Sequence, residues 1–303
     1  MKTFYSNGKL LISGEYLVLD GALSLAVPTK YGQTLELKEN QSNCIEWHSY
    51  NVNKECWFSA TFNINTLTLL TFNDKKIAAT LLEILQTAKK LNPNFLKESK
   101  GLSVKTTLNF PNEWGLGTSS TLINNIAQWA EINAFELLEK SFGGSGYDIA
   151  CAQYDTPIFF KRNGVCPTIE PVNFNPKFKD QLFFVYLNQK QDSKEGIQMY
   201  RSLTIDKKNS ISKINQLTLT MVQADELSVF EQCVTEHETI IANLLGIQPV
   251  KTQLFSDYLG SVKSLGAWGG DFVMVTGTKE EVASYFVPKG YSIIFSFNEL
   301  LLN

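Results

Sequence analysis

The chain has 303 residues, 44% of them hydrophobic and 19% charged, with a formal net charge of -3. It is long enough to bury a sizeable core, and its length predicts two domains. The faintly acidic balance leaves no electrostatic footprint for nucleic acid or an anionic membrane, and no apolar run approaches the ~18–20 residues of a spanning helix. Five cysteines (Cys44, Cys56, Cys151, Cys166, Cys233) form no CxxC pair, and neither His48 nor His237 stands at zinc spacing. With a polar start, MKTFYSNGKL, these features predict reduced thiols in a soluble cytoplasmic protein.

In chain order, strand patterns cover residues 4–6, 9–13, 23–27 and the alternating run 31–37. Residues 44–50 and 57–62 read as two more strands, with His48 at a surface or edge position. Asp74 can cap a helix running to about Leu91, with apolar Ile77, Leu81, Leu85 and Ala88 on one face. A strand over 102–110 leads into a glycine turn, followed by helices over 119–132 and 135–140.

A short helix over 149–153 and a strand over 157–160 follow. The turn-rich stretch 162–179, with Pro167, Pro171 and Pro176, is the expected domain crossover. Residues 181–187 are almost continuously apolar, the pattern of a strand buried on both faces. Helices are predicted over 207–228 and 229–245, with His237 packed in the apolar stripe of the second. A strand over 272–276, a capping box at Thr278 and Glu281 opening a helix to Phe286, and a strand over 291–297 complete the chain.

The turn between strand 102–110 and the next helix carries Pro111, Gly115, Leu116, Gly117, Thr118, Ser119 and Ser120. Two glycines let a ligand approach the backbone, and three hydroxyl residues stand at a helix start with its unpaired N–H groups and positive dipole end. Such a turn is a ready phosphate site, although the same residues would also serve as a plain strand-turn-helix connection.

Three further segments place this turn in a wider pattern: residues 8–22 (GKLLISGEYLVLDGA), 143–150 (GGSGYDIA) and 266–271 (GAWGGD). Together the four segments resemble, in order, the motifs of the GHMP kinase superfamily, which includes galactokinase, homoserine kinase, mevalonate kinase and phosphomevalonate kinase. The central segment is similar to that family's PxxxGLGSSAA loop, with Thr118, Ser120 and Thr121 as mild departures. The resemblance implies an α+β chain in two domains. An N-terminal nucleotide-binding domain of the ribosomal-S5-domain-2-like fold would cover 1–165, and a C-terminal ferredoxin-like domain 166–303.

The resemblance also implies ATP and Mg2+ as cofactors and a small molecule as substrate. Phosphoryl transfer needs a triphosphate cradle, a cation and a group that orients or deprotonates the acceptor. No Walker A pattern is present, so residues Pro111 and 115–120 would form the cradle, with the Ser119 hydroxyl also on Mg2+. Asp148, following Ser145 and Gly146 as in the family's SGxD, would act as general base, and Lys9 would stabilise negative charge. The family's second Mg2+ carboxylate falls on Leu137 here, which leaves the nearby Glu136 and Glu139 as candidate metal ligands, Glu136 first. Glu15, Tyr16, Gly144, Ser145, Ala267 and Gly269 would line the acceptor. Lys190, in the polar run 189–193 with Gln191 and Asp192, is a further candidate.

Glu15-Tyr16 within Gly-Glu-Tyr-x-Val-Leu is similar to phosphomevalonate kinases, so mevalonate or phosphomevalonate is the expected acceptor. Two alternatives stay open at this point: a diphosphomevalonate decarboxylase-like enzyme, and a catalytically silent homologue that binds nucleotide or metabolite.

Overall fold

The computed structural model describes residues 1–190 and 193–302, and the chain forms two compact units. The first comprises Met1–Gly8, Tyr31–Asn112 and Leu116–Gln153, and the second Lys9–Lys30, Glu113–Gly115 and Tyr154–Asn303.

Strands β1 (Lys2–Leu11) and β2 (Ser24–Glu39) pair, and each has residues in both units, while in the first unit β3 (Cys44–Tyr50), β4 (Cys56–Asn63) and β5 (Leu69–Phe72) form an antiparallel meander. After α1 (Lys75–Leu91), β6 (Leu102–Leu108) inserts between β3 and β2, parallel to the former and antiparallel to the latter. Helices α2 (Thr118–Ala130), α3 (Ala134–Ser141) and α4 (Tyr147–Gln153) follow. The core forms because the strands alternate: in β3, Ile45 and Trp47 are buried, and they cluster with Phe58, Phe62, Leu85 and Ile123. Helix α1 starts where expected, with the Asp74 carboxylate accepting from Ile77 N at 2.9 Å, a cap worth ~1 kcal/mol.

Runs 23–27 and 31–37 are one 16-residue strand, not two. Residues Ser24–Ala26 pair with β7 (Ile158–Lys161), and Gln33–Glu39 pair with β6. Pro28 lies between these two paired stretches. Its carbonyl accepts from Leu302 N at 2.9 Å.

In the second unit, β7 pairs antiparallel with β8 (Thr168–Pro171), which lies inside the stretch expected to be turns. Next come β9 (Leu182–Tyr186), α5 (Ser193–Arg201), α6 (Lys208–Gln223), α7 (Leu227–Leu245), α8 (Val250–Leu254), β10 (Val262–Ser264), β11 (Phe272–Thr276), α9 (Lys279–Phe286), β12 (Ile294–Ser296) and α10 (Phe297–Leu300). Every residue of β9 is buried, as its composition demands.

The smaller sheet has the order β10-β11-β9-β12 with all neighbours antiparallel. Counted along the chain, this is the 4-1-3-2 order of the ferredoxin-like fold, so the α+β expectation is met. The strand expected over 291–297 shortens to β12. Ser296 and Glu299 form a reciprocal capping box that turns the chain into α10 instead.

Candidate phosphate-binding site

After β6 a short 3-10 turn (Asn112–Trp114) leads to Gly115 and Gly117, both at positive φ, +64° and +98°. Pro111 is half-buried, and Leu116 is wholly buried and anchors the turn. Gly117 is the N-cap of α2 and, as a glycine, offers no side-chain cap to its first turn. The hydroxyls of Ser120 and Thr121 donate inward to Gly117 O at 2.9 and 3.0 Å. Ser119 is exposed and Thr118 half-buried. First-turn N–H groups without a side-chain cap, at the positive end of a helix of 13 residues, are what an anion requires.

Residues Glu113–Gly115 are pinned within the second unit. The Trp114 ring meets Phe272 and Phe295 edge-on, with centroids 5.9 and 5.1 Å away, and Tyr186 donates its hydroxyl to Glu113 O at 3.2 Å. Lys9 Nζ donates to Gly115 O at 2.7 Å, which brings the candidate charge-stabilising lysine onto the glycine loop itself. The other side of Gly115 is occupied as well: a methyl group added there would collide with the Asp271 carboxylate.

Glu15 is fully buried, with its carboxylate on Lys263 Nζ (2.5 Å) and 3.1 Å from His237 Nε2. Burial raises the Glu15 pKa, but Lys263 and His237 together, through charge and hydrogen bonding, outweigh it and hold the carboxyl below its ordinary range. His237 Nε2 also receives Gly14 N–H at 3.0 Å. That bond and the Glu15 approach compete for one ring nitrogen. Burial and then Lys263 hold the imidazole pKa down, so the ring is neutral and accepts from Gly14. It is the packed histidine that the apolar stripe predicts.

Glu238 completes this cluster, 3.5 Å from Lys263 and accepting from Ser264 Oγ at 2.9 Å. Burial pushes its carboxyl up to about 7, against the pull of Lys263. A carboxyl whose folded pKa is raised stabilises the fold fully below its unfolded value near 4.5 and loses that contribution as pH rises through about 7. Glu238→Gln should therefore gain on the wild type by about 3 kcal/mol between pH 4.5 and 8. Urea melts across that range check this, and parallel pH profiles for the two proteins would refute it.

Tyr16 has φ 61° and ψ -50°, a costly backbone state for a non-glycine residue. Its hydroxyl donates to Ala267 O at 2.7 Å and its ring stacks on Tyr200 at 5.5 Å. Burial, then the Glu15 charge, raises the phenol to about 12, so Tyr16 serves as a hydrogen-bond donor and not as a base. Segments 8–22 and 266–271 are thereby joined through Tyr16 and Ala267. The exposed Gly269 (φ +90°) lies in the second of these segments.

Asp148 is the second residue of α4, half-buried, with Oδ1 accepting from Ile149 N at 3.1 Å. It follows Gly144 (φ +133°) and a half-buried Ser145. Glu136 is engaged by Lys140 at 2.7 Å. Lys190 is exposed, whereas Gln191 and Asp192 lie outside the described residues. Among the described residues, no group of three or more His, Cys, Asp or Glu side chains could hold a metal ion, and no helix is long and apolar enough to cross a membrane.

No protein-family model and no curated protein sequence matches the chain. Solved structures do match. The Methanococcus jannaschii mevalonate kinase aligns with a TM-score of 0.72 at 16% identity, covering 100% of this chain and 98% of that one. Streptococcus pneumoniae phosphomevalonate kinase in complex with phosphomevalonate and AMPPNP aligns at 0.72 and 14% identity, covering 98% and 100%. The fold is that of the GHMP kinases. Lactococcus lactis galactokinase complexed with galactose shares it too, at TM-score 0.73 and 11% identity over 99% and 93% of the two chains. The GHMP fold is thus retained at identities that carry no information about the acceptor.

Proposed function

We propose that this chain is an ATP- and Mg2+-dependent kinase that transfers the γ-phosphoryl group to a hydroxyl or phosphate oxygen of a small metabolite, with mevalonate or phosphomevalonate as the expected acceptor. The observation that carries the reading is the Lys9–Gly115 hydrogen bond (2.7 Å), which sets a cation on the glycine loop that opens the uncapped helix α2. Residues 115–120 would receive the phosphates through backbone N–H groups, and the exposed Ser119 hydroxyl would reach the metal. When bound, Mg2+ would neutralise charge on the phosphoryl oxygens. Asp148 would orient the acceptor and take its proton, and Lys9 would offset the negative charge that moves with the phosphoryl group.

The Glu-Tyr pair at 15–16, similar to that of phosphomevalonate kinases, supports the phosphomevalonate side of the acceptor choice. Five free thiols support a cytoplasmic setting. The test is ATP consumption across mevalonate, phosphomevalonate, homoserine and several sugars, with CO2 release monitored in parallel. ATP-dependent phosphorylation of one of these without CO2 is expected. CO2 release would make it a decarboxylase, and no turnover on any acceptor would defeat the kinase reading.

The loop has its own test. Gly117→Val forces a branched side chain into φ +98° at the N-cap of α2. Affinity for an unreactive ATP analogue should fall at least tenfold, with a cooperative melt retained. Undiminished affinity by calorimetry would remove the loop from the nucleotide site.

A further inference from the structure

We infer that Asn124 is a positioning residue for phosphoryl transfer. Through one buried chain of hydrogen bonds it holds helix α4, which carries Asp148, in register with helix α2, which begins at the glycine loop. The inference rests on the kinase reading of the same site. None of the four sequence motifs includes Asn124.

Asn124 and Asn125 are wholly buried in the middle of α2, where asparagine is a poor helix former and an unpaired amide is costly to bury. Both amides are paired. Gln153 Nε2 donates to Asn124 Oδ1 at 2.9 Å, and Asn124 Nδ2 donates to Ser6 Oγ at 2.8 Å. Ser6 Oγ donates in turn to Asn125 Oδ1 at 2.8 Å, and Asn125 Nδ2 to Gln33 O at 2.9 Å. Each member accepts from one neighbour and donates to the next, so the chain runs in one direction from α4 through α2 and β1 to β2. Asn124 Nδ2 also reaches Ala152 O at 3.4 Å, which ties the backbone of α4 to the same amide. Ser6 and Gln33 are buried, whereas Gln153 is exposed.

Apolar packing alone sets the position of α4 loosely. The helix has seven residues, too few to be stable by itself, and it buries Ile149, Ala150, Cys151 and Ala152. Apart from Ile149 these side chains are small, and their burial is non-directional, so sliding along the contact is resisted weakly. Apolar residues of similar shape could replace the amides with little loss of stability. What a fully paired polar chain adds is a single register. Asn124 holds the last turn of α4, and Asp148 stands in its first turn, so a shift of this helix along its axis carries the Asp148 carboxylate with it. The start of α2 is braced by the same strand: the Thr121 hydroxyl lies 3.0 Å from Gly117 O and 3.0 Å from Gln33 Oε1. A displacement of about 1 Å at reacting groups can slow a reaction roughly 10²-fold.

The experiment measures kcat, with the acceptor identified in the panel, and affinity for an unreactive ATP analogue. The proteins are wild type, N124L, Q153A, D148N and each of the first two variants combined with D148N. Leucine keeps the branch of asparagine and removes its hydrogen bonds, and Q153A cuts the same link from the exposed end. N124L should lower kcat roughly tenfold or more and Q153A about threefold, with analogue affinity unchanged. Beside D148N both losses should nearly vanish, because Asn124 acts through Asp148. A role in the fold alone would lower the urea midpoint and leave kcat intact, which overturns the inference. A loss undiminished beside D148N, or one shared with analogue affinity, also overturns it. If N124L does not fold, Q153A decides by the same criteria. A wild type that turns over no acceptor defeats the kinase reading and this inference with it, as full turnover by D148N defeats both Asp148 and the inference. An active wild type with unchanged kcat in N124L and Q153A defeats only the role given to Asn124.

Discussion

Asp148→Asn is expected to lower kcat by roughly 10²–10⁴-fold, a loss of about 3–5 kcal/mol in transition-state stabilisation. The side chain stands at the second position of α4, where it accepts from Ile149 N at 3.1 Å. The amide is nearly the same shape and keeps an oxygen for that bond, so affinity for an ATP analogue and the urea midpoint should change little. If Asp148 only supports the first turn of its helix, the signature is reversed: a stability drop of ~1 kcal/mol with turnover intact. A loose transition state, in which the proton leaves late, would place the effect near the lower end of the range. Measuring kcat with the acceptor identified in the panel, alongside melts of both proteins, separates these outcomes. Full turnover by the variant would remove Asp148 from the chemistry.

Lys263→Met should destabilise the protein by about 3–5 kcal/mol, because it strands a buried carboxylate without its cation. Lys263 is 0% exposed and donates to Glu15 Oε1 at 2.5 Å and to Ser264 O at 3.0 Å. Desolvating Glu15 is tolerable only while that charge is opposite it. The double variant Glu15→Gln/Lys263→Met removes both charges and should recover part of the loss, which a double-mutant cycle from urea melts at pH 7 would show. Additive losses would mean that the two residues act independently, contrary to the 2.5 Å contact.

Features set by neighbours along the chain were legible from residues alone. The Thr278–Glu281 capping box, the 44–50 strand and the wholly buried β9 follow from propensity and periodicity over a few positions. The glycine loop belongs with them, since its positive φ angles are written into Gly115 and Gly117. What escaped depends on distant partners. Strands β5, β8 and β10 have only three or four residues each, too few to show a period, and they exist because another strand offers its edge. The resemblance of the first motif implies Glu15 and Tyr16 as substrate contacts, and it says nothing of what else they touch. The cation that encloses Glu15 lies 248 positions away, and nothing in the local sequence could indicate it. Asn124 escaped for a related reason: its partners stand on β1 and α4.

The Glu15–Lys263 pair also sets a timetable. Ribosomes add roughly 5–20 residues per second, so Glu15 emerges about 12–50 s before its counter-ion, 248 residues later, has been made. Throughout that interval the carboxylate cannot be buried without a large desolvation cost, so the segment carrying it has to stay hydrated. The second unit draws on Lys9–Lys30, Glu113–Gly115 and Tyr154–Asn303, so its closure waits until Lys263 has been made. A nascent chain stalled before residue 263 should therefore leave Lys9–Lys30 open to protease.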